Sequence, residues 1–170
     1  RTTQKDYSIE GLKGFDLKGK TIGVIGIGSI GKHVVRIARG FDMNVLAYAR
    51  HPDEFLAEQL NFKYVSLNEL LKKSDIVTIH IPYSEENHHF INEKTIKQMK
   101  KGAILINTAR GPIVDTTALI KALEEKRLGR AGLDVIEGED LIKDEKQFLH
   151  EKRNTKDLEQ VIEDNILLVK

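Results

Sequence analysis

The sequence predicts an α/β fold built on a doubly wound parallel sheet, with about seven strands and helices on both faces. Two observations predict it. Apolar runs typical of strands alternate six times with segments of helical periodicity. Several of the runs, such as residues 103–107, are almost continuously apolar. Strands of that kind bury both faces, as strands of parallel sheets do.

Composition narrows the function classes. The 170 residues carry a net charge of +1, no cysteine and 40% hydrophobic residues, enough for one domain with a single core. No overall charge favours nucleic acid or a membrane surface, and no apolar run reaches the roughly 18 residues of a membrane span. The lack of cysteine excludes disulfides and thiolate chemistry and is typical of a reducing cytoplasm, where we expect the protein.

The first strand, residues 21–27, leads into the most informative pattern of the chain. A lead-in or hinge segment, residues 1–19, precedes it. The strand runs into Gly-x-Gly-x-x-Gly, in which Gly26 permits a tight turn, Gly28 lets the backbone approach a pyrophosphate, and Gly31 lets the next helix pack on the strand. The first-turn N–H groups of that helix would face a diphosphate. The pattern predicts dinucleotide binding; a glycine-rich turn of another α/β domain is the alternative.

The later strands follow from short β-branched and apolar runs. The predicted ranges are 44–49, 63–65, 75–81, 103–107, 131–135 and 166–169.

The helices follow from capping residues and from apolar residues at helical spacing. Ser66 precedes Glu69 at the capping-box spacing, Asn92 and Asp115 precede two later helices, and Pro52 opens another. Gly40 and Gly102 mark helix ends, and the apolar positions are Val34, Val35, Ile37 and Ala38, then Phe55, Leu56 and Leu60, then Ile96 and Met99, and finally Leu119, Ile120 and Leu123 of a helix over 116–126.

Residues 137–164 break the alternation because they are rich in Glu, Lys and Asp. We interpret them as a solvated loop with one or two short surface helices inside a domain that covers residues 20–170. A partner-binding tail is the alternative.

The end of the second strand bears on the type of dinucleotide. An NAD site has a carboxylate there, about 20 residues past the glycines, that accepts the ribose 2′-OH. This chain has Ala49 followed by Arg50, while Asp53 belongs to the helix start after Pro52. Without the carboxylate a 2′-phosphate is not repelled, and a guanidinium can bind it bidentately. We therefore expect an NAD(P) site that prefers NADP(H); a solvent-facing Arg50 and a permissive site are the alternative.

Three further motifs follow the glycine pattern in order: His80-x-Pro82, the run Asn-Thr-Ala-Arg-Gly-Pro-Ile-Val-Asp over 107–115, and Gly-Leu-Asp-Val-x-Glu-Gly-Glu over 132–139. Together they closely resemble the D-2-hydroxyacid dehydrogenases, and residues 11–17 are similar to the D-lactate dehydrogenase branch. The resemblance covers nearly the whole chain. It implies a Rossmann-like cofactor domain of an oxidoreductase that reduces 2-keto acids to D-2-hydroxy acids.

The resemblance also implies roles for residues. Arg110 would hold the substrate carboxylate and polarise the keto oxygen, although such an arginine can also form a surface ion pair. Glu139 would pair with the catalytic histidine, with Glu137 as the neighbouring alternative, and Asp134 would lie near the nicotinamide carboxamide or cap a backbone. The other implied cofactor contacts are Ser29 and Ile30 at the pyrophosphate, His80, Ile81 and Pro82 on the adenosine side, Asn87, and Thr108 and Ala109 on the nicotinamide side.

The remaining histidines show no metal-ligand pattern, so we expect no metal site. His80 is expected to be a hydrogen-bonded wall residue. The others, His33, His51, His88, His89 and His150, are expected in solvated helix or loop positions.

One departure from the family matters for mechanism. The family's general-acid histidine follows the last strand of this domain in a Thr-Pro-His context, whereas this sequence stops at Lys170. By the resemblance, the substrate domain would be built from segments before and after the cofactor domain; since the chain begins with Arg1 and stops at Lys170, we expect this sequence to lack both. We interpret the chain as the cofactor domain of a longer dehydrogenase, homodimeric by resemblance, that binds cofactor without turning over a 2-keto acid. The alternatives are a corepressor-like module that senses NAD(H) and dimerises, and a methyltransferase with a glycine loop.

Overall fold

A computed structural model describes residues 14–138, which form one parallel sheet with helices on both faces. The strands are β1 (Thr21–Ile25), β2 (Asn44–Tyr48), β3 (Lys63–Tyr64), β4 (Ile76–Ile79), β5 (Ala103–Asn107) and β6 (Leu128–Leu133). The helices are α1 (Ser29–Gly40), α2 (Glu54–Leu60), α3 (Leu67–Lys73), α4 (Glu93–Ile96) and α5 (Thr116–Glu124), and 3-10 turns cover Glu85–Asn87 and Gly111–Ile113.

The strand order is β3-β2-β1-β4-β5-β6, and every pairing is parallel. The chain moves outward from β1 to β3, returns to the other side of β1 with β4, and continues to β6. Because the winding direction reverses between β1 and β4, a crevice opens beyond the carboxyl ends of these two strands, where sheets of this kind bind ligands.

Two hydrophobic clusters lie on opposite faces of the sheet. One contains Val35 and Ala38 of α1 and Ala57 of α2. The other contains residues of α3, α4 and α5, among them Leu71 and Leu119, which are at most 1% exposed. The double winding predicted from the alternation of strands and helices is therefore confirmed.

Three of the predicted capping residues cap their helices as expected. Ser66 accepts a hydrogen bond from the Glu69 N–H, Asn92 accepts from two N–H groups of α4, and Asp115 accepts from the Ala118 N–H. At α2 the cap is Asp53, whose side chain accepts from the Leu56 N–H. The helix therefore begins at Glu54, two residues after Pro52.

Some expected positions differ. Ile37 and Phe55 are 61% and 70% exposed, so they do not pack on the sheet as the rest of their apolar stripes do. The strand predicted over 75–81 is Ile76–Ile79, and the helix predicted to reach 126 ends at Glu124. β6 begins at Leu128, three residues earlier than predicted. Its first half contains Gly129 and Arg130, which are not typical strand residues, and three of its six residues are exposed, so it lacks the apolar run that marks the other strands.

The predicted strand 166–169, residues 139–164 of the charged segment and residues 1–13 of the lead-in lie outside the described residues. Within residues 14–138 no helix combines the length and apolar character needed to cross a membrane.

Candidate functional site

The three glycines after β1 build a tight bend that leaves one side open. Gly26 has φ +94°, and a Cβ there would lie 2.6 Å from the carbonyl oxygen of His80. A Cβ on Gly31 would lie 2.1 Å from the Gly26 oxygen, so the first turn of α1 packs directly on the strand end. At Gly28 a Cβ would meet no atom of residues 14–138 within 4 Å beyond its chain neighbours. The middle glycine therefore faces free space, whereas the outer two are closed in by backbone.

The start of α1 offers donors at this bend. Gly28 is the N-cap, no side chain caps the helix, and its first turn contains no acidic residue. The Lys32 N–H donates to the Gly28 carbonyl at 3.1 Å. The N–H groups of the first turn before it have no partner within the helix. Ser29 and Ile30 are exposed there. A helix start of this kind is suited to an anion such as a diphosphate.

A cleft of about 600 Å³ lies beside the bend, at the carboxyl ends of β4 and β5. It brings together Arg110 and six of the thirteen residues that the sequence predicted to contact a cofactor. Its lining residues are Ile30, His80, Ile81, Pro82, Tyr83, Thr108, Ala109, Arg110 and Pro112. Tyr83 and Pro112 were not predicted, although both adjoin predicted motifs.

His80 is a wall residue, as expected. Its Nε2 lies 2.9 Å from the Thr78 Oγ1, and burial lowers the pKa of its imidazole. The neutral form is therefore favoured, which suits a hydrogen-bonded wall better than an acid.

Buried Asn107 holds the loop that presents Arg110. Its side chain is 1% exposed; it donates to the Arg110 carbonyl at 2.9 Å and accepts from the Ala109 N–H at 3.0 Å. The guanidinium of Arg110 is exposed and donates to the Ala109 carbonyl at 2.7 Å. No carboxylate within residues 14–138 pairs with it, so its remaining donors can take a carboxylate or keto oxygen from a ligand.

Arg50 and Asn87 lie outside the lining of this cleft. Arg50 forms a 3.2 Å ion pair with Glu86 of the turn after β4, and both side chains are about three-quarters exposed. The Asn87 side chain closes the same turn: it donates to the Pro82 carbonyl at 2.7 Å and accepts from the Ser84 N–H at 2.9 Å. Arg50 therefore does not simply face solvent, and a ligand phosphate would compete with Glu86 for it.

His89 corrects an expectation, because it is half-buried rather than solvated. Its Nε2 lies 2.6 Å from Oε1 of Glu137. Burial alone would raise the pKa of Glu137, but hydrogen bonds from His89 and Thr116 outweigh it, so the pKa is lowered and the carboxylate form is favoured. Residues 48 positions apart make this contact, so neither motif alone signals it.

His88, His89 and Glu137 place three ligand atoms within 4.8 Å of one another, a grouping that could hold a metal ion. The two imidazole rings stack with centroids 3.9 Å apart and an interplanar angle of 21°. Their lone pairs lie in the ring planes, so the rings as placed do not aim at one ion about 2.0–2.1 Å from each nitrogen. The expectation of no metal site stays a prediction.

Asp134 follows β6 directly. Its backbone N–H donates to the Asn107 carbonyl at 3.0 Å, which places it beside the Arg110 loop with an exposed side chain. Glu139 lies outside the described residues, so its pairing with a catalytic histidine stays a prediction.

The comparisons with known proteins agree with this geometry. A family profile described as "D-isomer specific 2-hydroxyacid dehydrogenase, NAD binding domain" matches residues 1–156. The chain is 47% identical over 140 residues to a 2-hydroxyacid dehydrogenase homolog of Zymomonas mobilis, covering 82% of this chain and 42% of that protein. It is 43% identical over 139 residues to the D-lactate dehydrogenase of Escherichia coli, with the same two coverages.

Solved structures give the same result. The Salmonella D-lactate dehydrogenase superposes with a TM-score of 0.75 at 43% identity, covering 79% of this chain and 41% of that one. The D-lactate dehydrogenase with NAD+ from Lactobacillus jensenii superposes with a TM-score of 0.74 at 33% identity, covering 90% and 44%. The chain thus spans less than half the length of these relatives.

Proposed function

The chain belongs to the D-isomer specific 2-hydroxyacid dehydrogenase family, of which it carries the NAD-binding domain, and on that premise we propose that it serves an oxidoreductase reducing 2-keto acids to D-2-hydroxy acids. The observation that carries the proposal is the bend between β1 and α1, where Gly28 leaves space beside uncapped helix N–H groups. Relatives named as dehydrogenases and reductases support it. They give no support to a corepressor-like module, and none of these three relatives is named as a methyltransferase.

The dinucleotide would lie along the carboxyl ends of β1, β4 and β5. Ser29 and Ile30 would offer N–H groups to its diphosphate, His80–Pro82 would border its adenosine side, and Thr108–Arg110 with Asp134 its nicotinamide side. A solved relative bound to NAD+ supports a cofactor of this class. When bound, the nicotinamide supplies the hydride that reduces the keto carbon.

Arg110 would orient the second reactant. Its planar guanidinium can hold a carboxylate in two parallel hydrogen bonds, and its fixed charge stabilises negative charge that develops on the keto oxygen. Asn107 holds the loop in position through both of its amide atoms. By resemblance, Glu139 would pair with the family's catalytic histidine, which would supply the proton to the new hydroxyl.

We propose that the isolated chain binds cofactor without reducing 2-keto acids. General acid catalysis contributes about 10²–10⁴-fold, and water exclusion by an opposing domain adds to it. The test mixes the protein with NADH and either pyruvate or glyoxylate and follows the decrease in NADH absorbance. The protein concentration is high enough to detect slow turnover. Robust oxidation of NADH by the chain alone would contradict the proposal.

We also propose a preference for NADP(H). An exposed ion pair such as Arg50–Glu86 contributes about 0–1 kcal/mol, whereas a hydrogen bond to a charged group contributes roughly 1.5–3 kcal/mol. A 2′-phosphate should therefore displace Glu86 from Arg50. Calorimetric titration of NADH and NADPH tests this. The expected result is tighter NADPH binding that weakens with added salt, and tighter NADH binding would refute it.

Two wider proposals rest on the resemblance. The protein is proposed to be a homodimer, which analytical ultracentrifugation tests, and to be cytoplasmic, which cell fractionation tests. A monomer across the micromolar range, or recovery outside the cytoplasmic fraction, would contradict them.

A further inference from the structure

The pair formed by His89 and Glu137 joins two segments that are far apart in the sequence, the loop after β4 and the segment after β6. His89 lies in the loop after β4 with φ +50°, a conformation that non-glycine residues adopt rarely. Its N–H donates to the Pro112 carbonyl at 2.9 Å, and its own carbonyl accepts from Asn92 Nδ2 at 2.8 Å. The backbone of His89 is therefore fixed to the segment that directly follows Arg110.

Glu137 approaches the same place from the segment after β6. One carboxylate oxygen lies 2.6 Å from His89 Nε2, and the other accepts from the Thr116 N–H at 3.3 Å, at the start of α5. A carboxylate at a helix start also interacts favourably with the helix dipole. The two side chains are 35% and 25% exposed, so solvent screens this pair less than the exposed pairs of the surface.

Gly111 shows how closely the two segments approach. A Cβ on Gly111 would lie 2.1 Å from the Ile136 oxygen and 2.5 Å from the Glu137 nitrogen. The backbone before Glu137 thus lies directly against the residue that follows Arg110. Movement of one segment would open this contact and shift the other.

We propose that His89 and Glu137 are a positioning pair that holds residues 134–137 and the Arg110 loop together on the nicotinamide side of the cleft. This inference rests on the proposed function, since it assumes a dinucleotide in the cleft. Apart from their contact with each other, the hydrogen bonds of His89 and Glu137 run to Pro112, Asn92 and Thr116. None of these bonds runs to His80–Pro82 or to the bend at Gly28, so we expect loss of the pair to weaken mainly the nicotinamide half of the ligand.

The test compares NADH with ADP-ribose, which carries the adenosine and diphosphate but no nicotinamide. The variants are His89→Asn, Glu137→Gln and the double variant. Asn removes the ring while tolerating a positive φ, and Gln keeps the size of Glu without its charge. Glu69→Gln is the matched control, since Glu69 makes a 2.7 Å ion pair with Lys73 on α3, outside the cleft lining.

If the pair's loss leaves about one-tenth of the molecules with both segments in place, affinity for NADH falls about tenfold. Affinity for ADP-ribose should change less than twofold. The double variant should bind NADH no more weakly than the weaker single variant, because both changes remove one interaction. The control should bind both ligands as the unchanged protein does.

Three results would overturn the inference: unchanged NADH affinity, an equal loss for both ligands, or additive losses in the double variant. Thermal melts accompany the titrations, and if both Glu137→Gln and His89→Asn prevent folding, the pair is structural and the inference is overturned as well. Failure of the unchanged protein to bind NADH would instead contradict the proposed function.

Discussion

Replacing Gly28 by Ala tests whether a diphosphate uses the open space beside Gly28 to reach the start of α1, with Gly40→Ala as the matched control. At both positions an added Cβ meets no atom of residues 14–138 within 4 Å, apart from its chain neighbours and, at Gly40, the backbone of its own helix. The backbone at Gly28 has φ −77° and ψ −162°, which an alanine adopts without strain. Neither variant should lose stability, and Ala at residue 40, within α1, gains up to about 1 kcal/mol.

Their effects on ligand binding should differ. The new methyl at residue 28 occupies the space through which a diphosphate reaches the N–H groups of α1. Losing one such charge-assisted hydrogen bond costs roughly 1.5–3 kcal/mol, which is about a 10–150-fold loss of affinity. Residue 40 lies at the opposite end of the helix, so its variant should bind normally. Calorimetry with NADH measures both, with thermal melts to confirm folding.

Gly31→Ala provides the contrasting outcome. Its Cβ would lie 2.1 Å from the Gly26 carbonyl oxygen, and a backbone atom cannot move away as a flexible side chain can. We expect this variant to lose thermal stability, whereas Gly28→Ala should lose affinity without losing stability. The reasoning fails if Gly28→Ala binds NADH as the unchanged protein does, or if Gly40→Ala weakens binding equally.

Three further predictions concern specificity and stability. Ala49→Asp supplies the carboxylate at the end of β2; NADPH affinity should fall at least tenfold relative to NADH in paired titrations, because the charge repels a 2′-phosphate. Asp75→Asn should cost about 1 kcal/mol, or about 2–4 °C in melting temperature. Burial would raise the pKa of Asp75, but hydrogen bonds from Lys100 and the Thr21 N–H lower it overall. The melting difference should therefore be complete near pH 6–7 and shrink below about pH 4; an unchanged difference at pH 3 would contradict this. Leu105→Ala removes a fully buried side chain of β5 and should cost about 2–5 kcal/mol in urea denaturation, with a smaller loss showing that the core closes around the gap.

What could be predicted from the sequence depends on the range of the interaction. The caps at Ser66, Asn92 and Asp115 involve N–H groups two or three residues away, so a short spacing pattern contains the whole interaction. Ile37 and Phe55 show the limit of such patterns. Their apolar character fits the helical period, but whether the sheet reaches them depends on helix placement, which periodicity does not determine.

The site divides in the same way. Ile30, His80 and Arg110 lie far apart in sequence yet line one cleft, because parallel strands end at the same edge of a sheet. Motifs at strand ends were enough to predict that grouping. The pairs Arg50–Glu86 and His89–Glu137 could not be predicted, because each depends on how two loops fold toward each other.

The pairs Arg50–Glu86 and His89–Glu137, which the sequence did not predict, bear on how the proposed site would discriminate between cofactors. A parallel sheet of this topology places backbone N–H groups and the starts of loops at the carboxyl ends of its strands. There they can contact the parts that all nicotinamide dinucleotides share. Under the proposed preference for NADP(H), the charge that a 2′-phosphate meets depends on whether Glu86 neutralises Arg50. On the nicotinamide side, the proposed role of His89 makes the position of the Arg110 loop depend on Glu137. If both proposals hold, general recognition follows from topology, whereas discrimination between cofactors follows from side chains on loops, which can change without altering the sheet.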